Sequence, residues 1–256
     1  MSYPLQYLLK TYITGASSGF GALAARHTVY AGFFSPDDNT QSAQSDVSTF
    51  ASANNIRLRS VNLDIISDSS ISAGLTKVHS ETGGILNTII HNAGHGSLEA
   101  FQRTGTYRMN KICIPHLHRV GKGHVIWISS SSAHGGVLPL LGPCSVAKAA
   151  TDSLATTIMV PGMFMRGTNH FANAGKLEDG GQTLRGVEKN MQPSTDLVVV
   201  AEAIVKVVQA PEGKKPFRVH IDSFRDGSEE VNGLSDRKRE GLFDRLELEG
   251  LLKRKS

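Results

Sequence analysis

The stretch Thr14-Gly15-Ala16-Ser17-Ser18-Gly19-Phe20-Gly21 decides the fold that this sequence predicts. It follows a short apolar run at residues 8–13, which is typical of a buried strand, and precedes residues 22–25, which are typical of a helix start. Glycines in such a turn permit a sharp reversal and let the backbone approach a pyrophosphate, which then lies at the positive end of the helix. This context favours a nucleotide site, whereas a glycine-rich turn that binds nothing is the alternative for the stretch taken alone.

Strands and helices alternate along the rest of the chain. Further apolar runs predict strands at residues 27–32, 56–61, 85–90, 124–129 and 216–221. The spacing of apolar residues predicts helices at 41–54, 70–81 and 197–209. The alternation predicts an α/β fold, a Rossmann-type doubly wound parallel sheet with helices on both faces, in a single domain that spans residues 1–256.

The composition excludes several classes of protein. The chain has 256 residues, of which 39% are hydrophobic and 20% charged, as in a globular domain that buries its core without disulfides. Its net charge of +4 forms no basic stripe, so we expect no nucleic-acid partner. The absence of a long apolar run and of a signal-peptide pattern predicts a soluble cytoplasmic protein without membrane contact. The two cysteines, Cys113 and Cys144, predict neither a disulfide framework nor a metal site.

Several polar motifs follow predicted strands. His91-Asn92-Ala93-Gly94 comes directly after the strand at 85–90, and Asp64 comes shortly after the strand at 56–61. Cys144 and Lys148 stand four residues apart, so on a helix they share one face and can act together. Ser131 belongs to a run of four serines and precedes Cys144 by thirteen residues, with Ser130 as the alternative candidate.

Together these motifs resemble the classical short-chain dehydrogenase/reductase family, with Cys144 in the place of the family's tyrosine. The glycine spacing Gly-x-x-x-Gly-x-Gly is the family's form, and the motifs are spread over most of the chain. The tail from Pro216 to Leu252 is similar to that of bacterial and fungal members. The resemblance implies a substrate loop at about 161–192 and a C-terminal extension at about 222–256.

The resemblance also implies a nicotinamide cofactor. The residues that it assigns to the cofactor are Thr14, Gly15, Ser17, Ser18, Gly19, Phe20, Gly21, Asp64, Asn92, Ala93, Gly94, Lys148, Pro161 and Gly162. An acid at the end of the second strand would favour NAD, and an arginine there would favour NADP. Residues 31–35 contain neither. The missing acid favours NADP without excluding NAD, while Phe34 argues against a tight phosphate contact.

The implied catalytic residues are Ser131, Cys144, Lys148 and Asn110. Ser131 would hold the substrate carbonyl, Lys148 the nicotinamide ribose, and Asn110 a proton-relay water. In the family the residue at position 144 is a tyrosine that transfers the proton. A free thiol ionises near pH 8.5 and a free phenol near pH 10, and a thiolate beside a lysine has no proton to donate. The thiol is also shorter than the phenol, so it would need a bridging water to reach the carbonyl.

The predicted function is an NADP-dependent oxidoreductase of a small-molecule carbonyl or alcohol, impaired at proton transfer because Cys144 replaces the tyrosine. The alternative is an inactive relative that binds a nucleotide or a protein partner. Cys144 could also be a reactive thiol or an inert residue at an abandoned site. An unstable product of a defective gene is a third reading of the whole chain.

Two intervals are shorter than the family's. Twelve residues separate Asn110 from Gly123, and twelve separate Lys148 from Pro161. The first interval predicts a shortened helix around Asn110. The second predicts that the active-site helix runs almost directly into residues 159–161 and leaves no room for a normal sixth strand. Because these two helices form the oligomer interface in the family, we expect weakened homo-oligomerisation.

Overall fold

The computed structural model of the protein describes residues 9–15, 28–34, 39–53, 57–93, 100–121, 123–134, 142–155, 157–162, 164, 189, 197–211, 213–222 and 225–248. For residues 39–43, 46, 50, 100–104 and 142–144 the description covers the backbone alone. Within these ranges the chain forms a sheet with helices on both of its faces, and the residues that follow the strand ends build the candidate site.

Seven strands within the described ranges form one parallel sheet. They are β1 Lys10–Ile13, β2 Thr28–Phe33, β3 Leu58–Asn62, β4 Thr88–His91, β5 His124–Ile128, β6 Ile158–Pro161 and β7 Arg218–Ile221. Their order across the sheet is β3-β2-β1-β4-β5-β6-β7, and every pairing of neighbours is parallel. The chain builds the sheet in one direction from β1 to β3 and in the other from β4 onwards. The doubly wound α/β fold is therefore confirmed.

Six α-helices accompany these strands in the described part of the chain. They are α1 Asn39–Ala53, α2 Asp68–Thr82, α3 Ala100–Val120, α4 Gly142–Asp152, α5 Leu197–Gln209 and α6 Ser228–Arg245, and a 3-10 turn at Ser131–Ala133 follows β5. The predicted strands and the helices predicted at 41–54, 70–81 and 197–209 agree with the observed ones to within three residues at each end, whereas the helix start predicted at 22–25 lies outside the described residues. None of the described helices is long and apolar enough to cross a bilayer.

The core is divided between the two faces of the sheet. Helices α1 and α5 cover one face, where they pack on strand residues that include Ile13, Phe33 and Ile90. Helices α2 and α3 cover the other face, where Tyr12 and Ile89 are fully buried. Adjacent residues of one strand, such as Tyr12 and Ile13, point to opposite faces, and here both are apolar. Strands that are apolar on both sides are typical of a parallel sheet covered by helices.

The sixth strand is present, so the expectation that the chain lacks room for it is wrong. Strand β6 lies between β5 and β7 and is aligned with β5 through Ile158 and Met159. The twelve residues between Lys148 and Pro161 leave room for this strand because α4 ends at Asp152, after only 11 residues. A tight turn follows, in which Ala155 N donates to Asp152 O at 3.1 Å. The short interval is therefore reflected in the length of α4, and β6 is retained.

The helix around Asn110 is not cut short, which corrects the second expectation about length. Helix α3 has 21 residues and continues to Val120. Gly121 then adopts a φ of +72°, and its N–H donates to Leu117 O at 3.2 Å. At Gly123 a Cβ atom would lie 2.3 Å from the Leu117 Cβ, so only glycine fits there. Two glycines thus make the turn into β5 compact enough for the interval.

Candidate functional site

The glycine turn begins where the strand order reverses. Strands β1 and β4 are neighbours, and their carboxyl ends lie at the same edge of the sheet. The strand that follows β1 in the chain lies on one side of this pair and the strand that follows β4 lies on the other, and ligands of doubly wound sheets bind beyond the strand ends at such a reversal. Thr14 and Gly15 follow β1, and Asn92 and Ala93 follow β4, so the structure brings the two predicted cofactor motifs together.

Thr14 joins these two motifs through its buried hydroxyl. The oxygen accepts hydrogen bonds from Asn92 N at 3.1 Å and from Ala93 N at 2.9 Å. The Asn92 amide in turn donates to Thr14 O at 3.2 Å and to Gly15 O at 2.8 Å. The start of the glycine turn and the Asn-Ala motif therefore form one hydrogen-bonded unit.

Gly15 is required by both its conformation and its surroundings. Its φ is +63°, a left-handed value that residues with a Cβ rarely adopt. A Cβ at this position would also lie 2.6 Å from the Ala93 Cα, well inside van der Waals contact. Glycine at position 15 therefore allows the turn to pack on the end of β4, and the approach of this backbone to a pyrophosphate stays a prediction.

The remaining residues of the predicted phosphate-binding turn lie outside the described part of the chain. They are Ser17, Ser18, Gly19, Phe20, Gly21 and, after β4, Gly94. Cys144 lies in the first turn of α4, where the description covers only the backbone. Their roles stay predictions.

Asp64 lies in the turn that leaves β3. Its Oδ1 accepts a hydrogen bond from Ile66 N at 2.9 Å, and its own N–H donates to Ser70 Oγ at 2.9 Å. An aspartate that bonds the backbone two residues on stabilises such a turn without a ligand. A contact between Asp64 and a cofactor stays a prediction.

The end of β2 carries no charged side chain among its described residues. Phe34 follows the strand directly, and 58% of its surface is exposed. A position near the end of this strand is where an acid or an arginine would distinguish NAD from NADP. The choice of cofactor therefore stays a prediction.

Asn110 is held by His91, a residue of the His91-Asn92-Ala93-Gly94 motif to which the sequence analysis gave no role of its own. His91 Nε2 and Asn110 Oδ1 are 2.8 Å apart, and an amide oxygen can only accept, so the imidazole donates. Burial lowers the pKa of His91 to about 4, although the bond to Asn110 acts in the opposite direction. His91 is therefore neutral near pH 7. A histidine at the end of an otherwise apolar strand was the signal in the sequence.

We expect His91 to make the protein less stable in acid. The pKa of His91 is about 4 in the folded state and about 6.5 for a free histidine. Between these two pH values the imidazole is protonated in the unfolded chain and neutral in the folded chain, so acid favours unfolding. Between pH 6.5 and pH 4 this costs about 3 kcal/mol of unfolding free energy. Urea unfolding of the native chain and of His91→Asn, from pH 7.5 to pH 4, measures the difference.

Taking the difference between the two proteins cancels the titration of the groups that they share. The stability of the native chain relative to His91→Asn should fall by about 3 kcal/mol on acidification. Curves that run parallel over this range would show that His91 is protonated as easily in the fold as outside it.

Ser131 lies directly beyond β5, at the start of the 3-10 turn, and is buried. The preceding Ser130 caps that turn, because its hydroxyl accepts from Ser132 N at 3.3 Å and from Ser132 Oγ at 2.9 Å. The Ser130 hydroxyl is thus engaged in local structure. The assignment of Ser131, with Ser130 as the alternative, as the serine that holds a substrate stays a prediction.

Lys148 reaches the same end of β5 from helix α4. The side chain is buried, and its ammonium donates to Ile128 O at 2.8 Å. Helix α4 also packs on the 3-10 turn that begins at Ser131. The structure therefore places two of the predicted catalytic residues, Ser131 and Lys148, around the carboxyl end of one strand.

Pro161 and Gly162 end β6 at the same edge of the sheet. Gly162 N donates to Ile221 O at 2.9 Å, which continues the pairing with β7. A Cβ at position 162 would lie 2.1 Å from the Asp222 Oδ1, so glycine is needed for this close packing. The predicted Pro-Gly turn is therefore at the expected edge, and its contact with a cofactor stays a prediction.

A buried cluster of charges lies beside the site, and the sequence analysis missed it. Asp152 Oδ2 is 3.4 Å from Arg218 Nη1 and 3.6 Å from His134 Nδ1. Arg218 also donates to both carboxylate oxygens of Asp236, at 2.9 and 3.0 Å. Burial raises the pKa of Asp152, and the neighbouring charges oppose that rise. The described residues contain no group of three or more metal-ligating side chains.

Comparisons with known proteins agree with this architecture. A family model described as short chain dehydrogenase matches residues 10–161, while no curated protein matches the chain. A short-chain dehydrogenase from Streptomyces avermitilis has a TM-score of 0.68 and 20% identity over 96% of this chain and 98% of that one. An alcohol dehydrogenase from the archaeon Thermococcus sibiricus, complexed with 5-hydroxy-NADP, has a TM-score of 0.63 and 19% identity, over 84% and 96%.

A 3-ketoacyl-(acyl-carrier-protein) reductase from Brucella melitensis, complexed with NADH, has a TM-score of 0.65 and 18% identity, over 84% of this chain and 96% of that one. At such identities the solved structures show a shared fold, whereas the match of the family model rests on the sequence itself. That match covers more than half of the chain and includes β1 through β6. The chain belongs to the short-chain dehydrogenase family.

Proposed function

We propose that the chain is an NADP-dependent oxidoreductase that moves a hydride between the nicotinamide and a carbonyl or alcohol carbon, with impaired proton transfer. The observation that carries this proposal is the convergence of Ser131 and Lys148 at the end of β5. Ser131 would hold the substrate carbonyl, and Lys148 would bind the nicotinamide ribose. Asn110, held by His91, would support a relay water.

The described part of the cofactor site is compatible with a nicotinamide dinucleotide. Gly15 lets the turn pack closely on the Ala93 backbone, and Thr14 and Asn92 hold this turn against the end of β4. Structures with the same fold contain 5-hydroxy-NADP or NADH. The lack of an acid between Ala31 and Ser35 favours NADP, and NAD is the alternative.

Impairment follows from the residue at position 144. A thiol is a poorer proton donor at this place than a phenol, and general acid catalysis contributes about 10²–10⁴-fold to a rate. Water or Cys144 would have to deliver the proton. The same substitution supports the alternative function, an inactive relative that keeps the nucleotide site for binding alone.

Trp127 provides a test that separates these functions. It is the only tryptophan of the chain, it is buried on β5, and its ring centroid is 4.6 Å from that of His91. We expect NADPH to quench its fluorescence saturably, and more strongly than NADH at equal concentration. We also expect slow, carbonyl-dependent oxidation of NADPH over a panel of ketones and aldehydes.

Each outcome has a distinct meaning. Saturable quenching without turnover on the panel would favour the inactive nucleotide-binding relative. An absence of quenching by either cofactor, in protein that unfolds cooperatively, would contradict both functions. Trp127→Phe is the control, because it should abolish the signal and leave any turnover in place.

Two further points belong to the proposal. We expect the protein to act in the cytoplasm, and we expect weak homo-oligomerisation. Helix α4 has only 11 residues, which supports the second expectation, whereas α3 with 21 residues does not. Sedimentation of the native chain over a range of concentrations would measure the assembly directly.

A further inference from the structure

We propose that Asp152 is a positioning residue that fixes the serine turn, residues 129–134, against helix α4, and that helix α6 supports it through Arg218. The proposal rests on the proposed function where it assigns catalytic roles to Ser131 and Lys148. The juxtaposition of one buried carboxylate with both ends of the serine turn leads to it.

Asp152 faces the serine turn at its two ends. On the far side of Ser131, His134 Nδ1 is 3.6 Å from Asp152 Oδ2. On the near side, the Ser129 hydroxyl lies close enough to favour the charged carboxylate, without forming a well-aligned hydrogen bond. Since Ser131 lies between Ser129 and His134 in the chain, one carboxylate restrains the turn that carries the candidate catalytic serine.

The same carboxylate belongs to the helix that carries Lys148. Asp152 follows Lys148 by four residues, so the two side chains leave α4 from the same face, and both are buried. Lys148 bonds the end of β5 at Ile128 O, and Asp152 contacts the turn that begins just beyond it. The distance between Ser131 and Lys148 therefore depends on both anchors.

Arg218 favours the charged form of this buried carboxylate and holds it in place. Its Nη1 donates to Asp152 Oδ2 at 3.4 Å. The other edge of the guanidinium makes two hydrogen bonds to Asp236 of α6, which fix its plane. Helix α6 also packs against the serine turn itself. The C-terminal helix thus reaches the candidate site through two paired carboxylates and the arginine between them.

The test replaces the charge and keeps the shape, as in Asp152→Asn. We expect the turnover number to fall by about 10- to 100-fold, because a small displacement of reacting groups has a large effect on rate. The Michaelis constant and the affinity for NADPH should change by less than about twofold, since Asp152 itself touches neither ligand. The measurements use the native chain and the Cys144→Tyr variant.

Hydrogen exchange provides a readout that needs no activity. The amides of Ser132, Ala133 and His134 are hydrogen-bonded within the turn, and we expect Asp152→Asn to speed their exchange. Ile71→Val is the control, because Ile71 is fully buried on α2 and belongs to the core on the opposite side of α3. It should lower stability without selectively loosening the turn.

The outcomes are separable. Unchanged exchange of the turn in Asp152→Asn would overturn the proposal, as would faster exchange with an unchanged turnover number. A similar loss of turnover in Ile71→Val, at equal folded fraction, would also overturn it, because the effect would then be one of general stability. If neither the native chain nor Cys144→Tyr has turnover on the panel, the proposed function fails, and exchange alone decides whether Asp152 fixes the turn.

Discussion

Replacing Cys144 by tyrosine should raise the rate of carbonyl-dependent NADPH oxidation by about 10²–10⁴-fold over the native chain. The phenol would restore a proton donor long enough to reach the substrate carbonyl. Lys148, one turn further along α4, is positioned to favour its ionisation when the proton is given away. The measurement is the initial rate with each carbonyl of the panel at saturating NADPH.

Two control variants give this experiment its meaning. Cys144→Phe adds the ring without the hydroxyl and should leave the rate at the native level. Cys144→Tyr combined with Lys148→Met should lose most of the gain, because the phenol then lacks its neighbouring cation. If Cys144→Tyr turns over no faster than the native chain, the missing tyrosine is not what limits the rate, and the shortened α4 is the next feature to test.

Replacing Arg218 by methionine should lower the free energy of unfolding by about 3–5 kcal/mol. Methionine keeps most of the apolar stem and removes the charge. The carboxylates of Asp152 and Asp236 would then both lose the cation that pairs with them. Urea unfolding at pH 7 measures the loss.

An exposed ion pair provides the matched control. Arg108 pairs with Asp68 at 2.6 Å, but both side chains are substantially exposed, so Arg108→Met should cost less than about 1 kcal/mol. In Arg218→Met, burial without the arginine raises the pKa of Asp152 further above its unfolded value, so stability should partly recover as the pH falls. Equal losses in the two variants, with no recovery in acid, would show that the buried cluster contributes no more than a surface pair.

Local patterns predicted most of the sheet. Continuous apolar runs marked the strands because both faces of a parallel sheet are covered. The motifs after β1 and β4 were predicted to share a site, and Thr14 and Asn92 do hold them together. Strands and strand-end motifs can be predicted because they depend on a few neighbouring residues and because the carboxyl ends of parallel strands lie at one edge of the sheet.

Features that join distant parts of the chain could not be predicted in the same way. Asp152 and Arg218 are 66 residues apart, and no local pattern pairs them. The sixth strand was wrongly excluded because the length of α4 was taken from the family, whereas here the helix ends early at Asp152. The helix carrying Asn110 was wrongly shortened because the compact turn at Gly123 was not recognised.

Helix α6 was not predicted for a different reason. Its buried positions include the polar residues Ser228 and Asn232, while Val231, Leu234 and Leu242 are exposed. An amphipathic helix is recognised in a sequence because its apolar residues share the buried face. In α6 these apolar residues are exposed and polar ones are buried, so the pattern is missing. Its attachment comes from charge, through Asp236 and Arg218, and charge pairing leaves no periodic signal in the sequence.

The hydroxyl of Thr14 also limits how this chain can drift over evolutionary time. A hydroxyl has one proton to give and two lone pairs, and both lone pairs already receive an amide from the neighbouring strand end. Serine offers the same donor and acceptors in a similarly small side chain, whereas the isosteric valine would leave two partly buried amides without this acceptor. Position 14 should therefore accept serine and reject apolar side chains, because its hydroxyl holds the glycine turn to the end of β4.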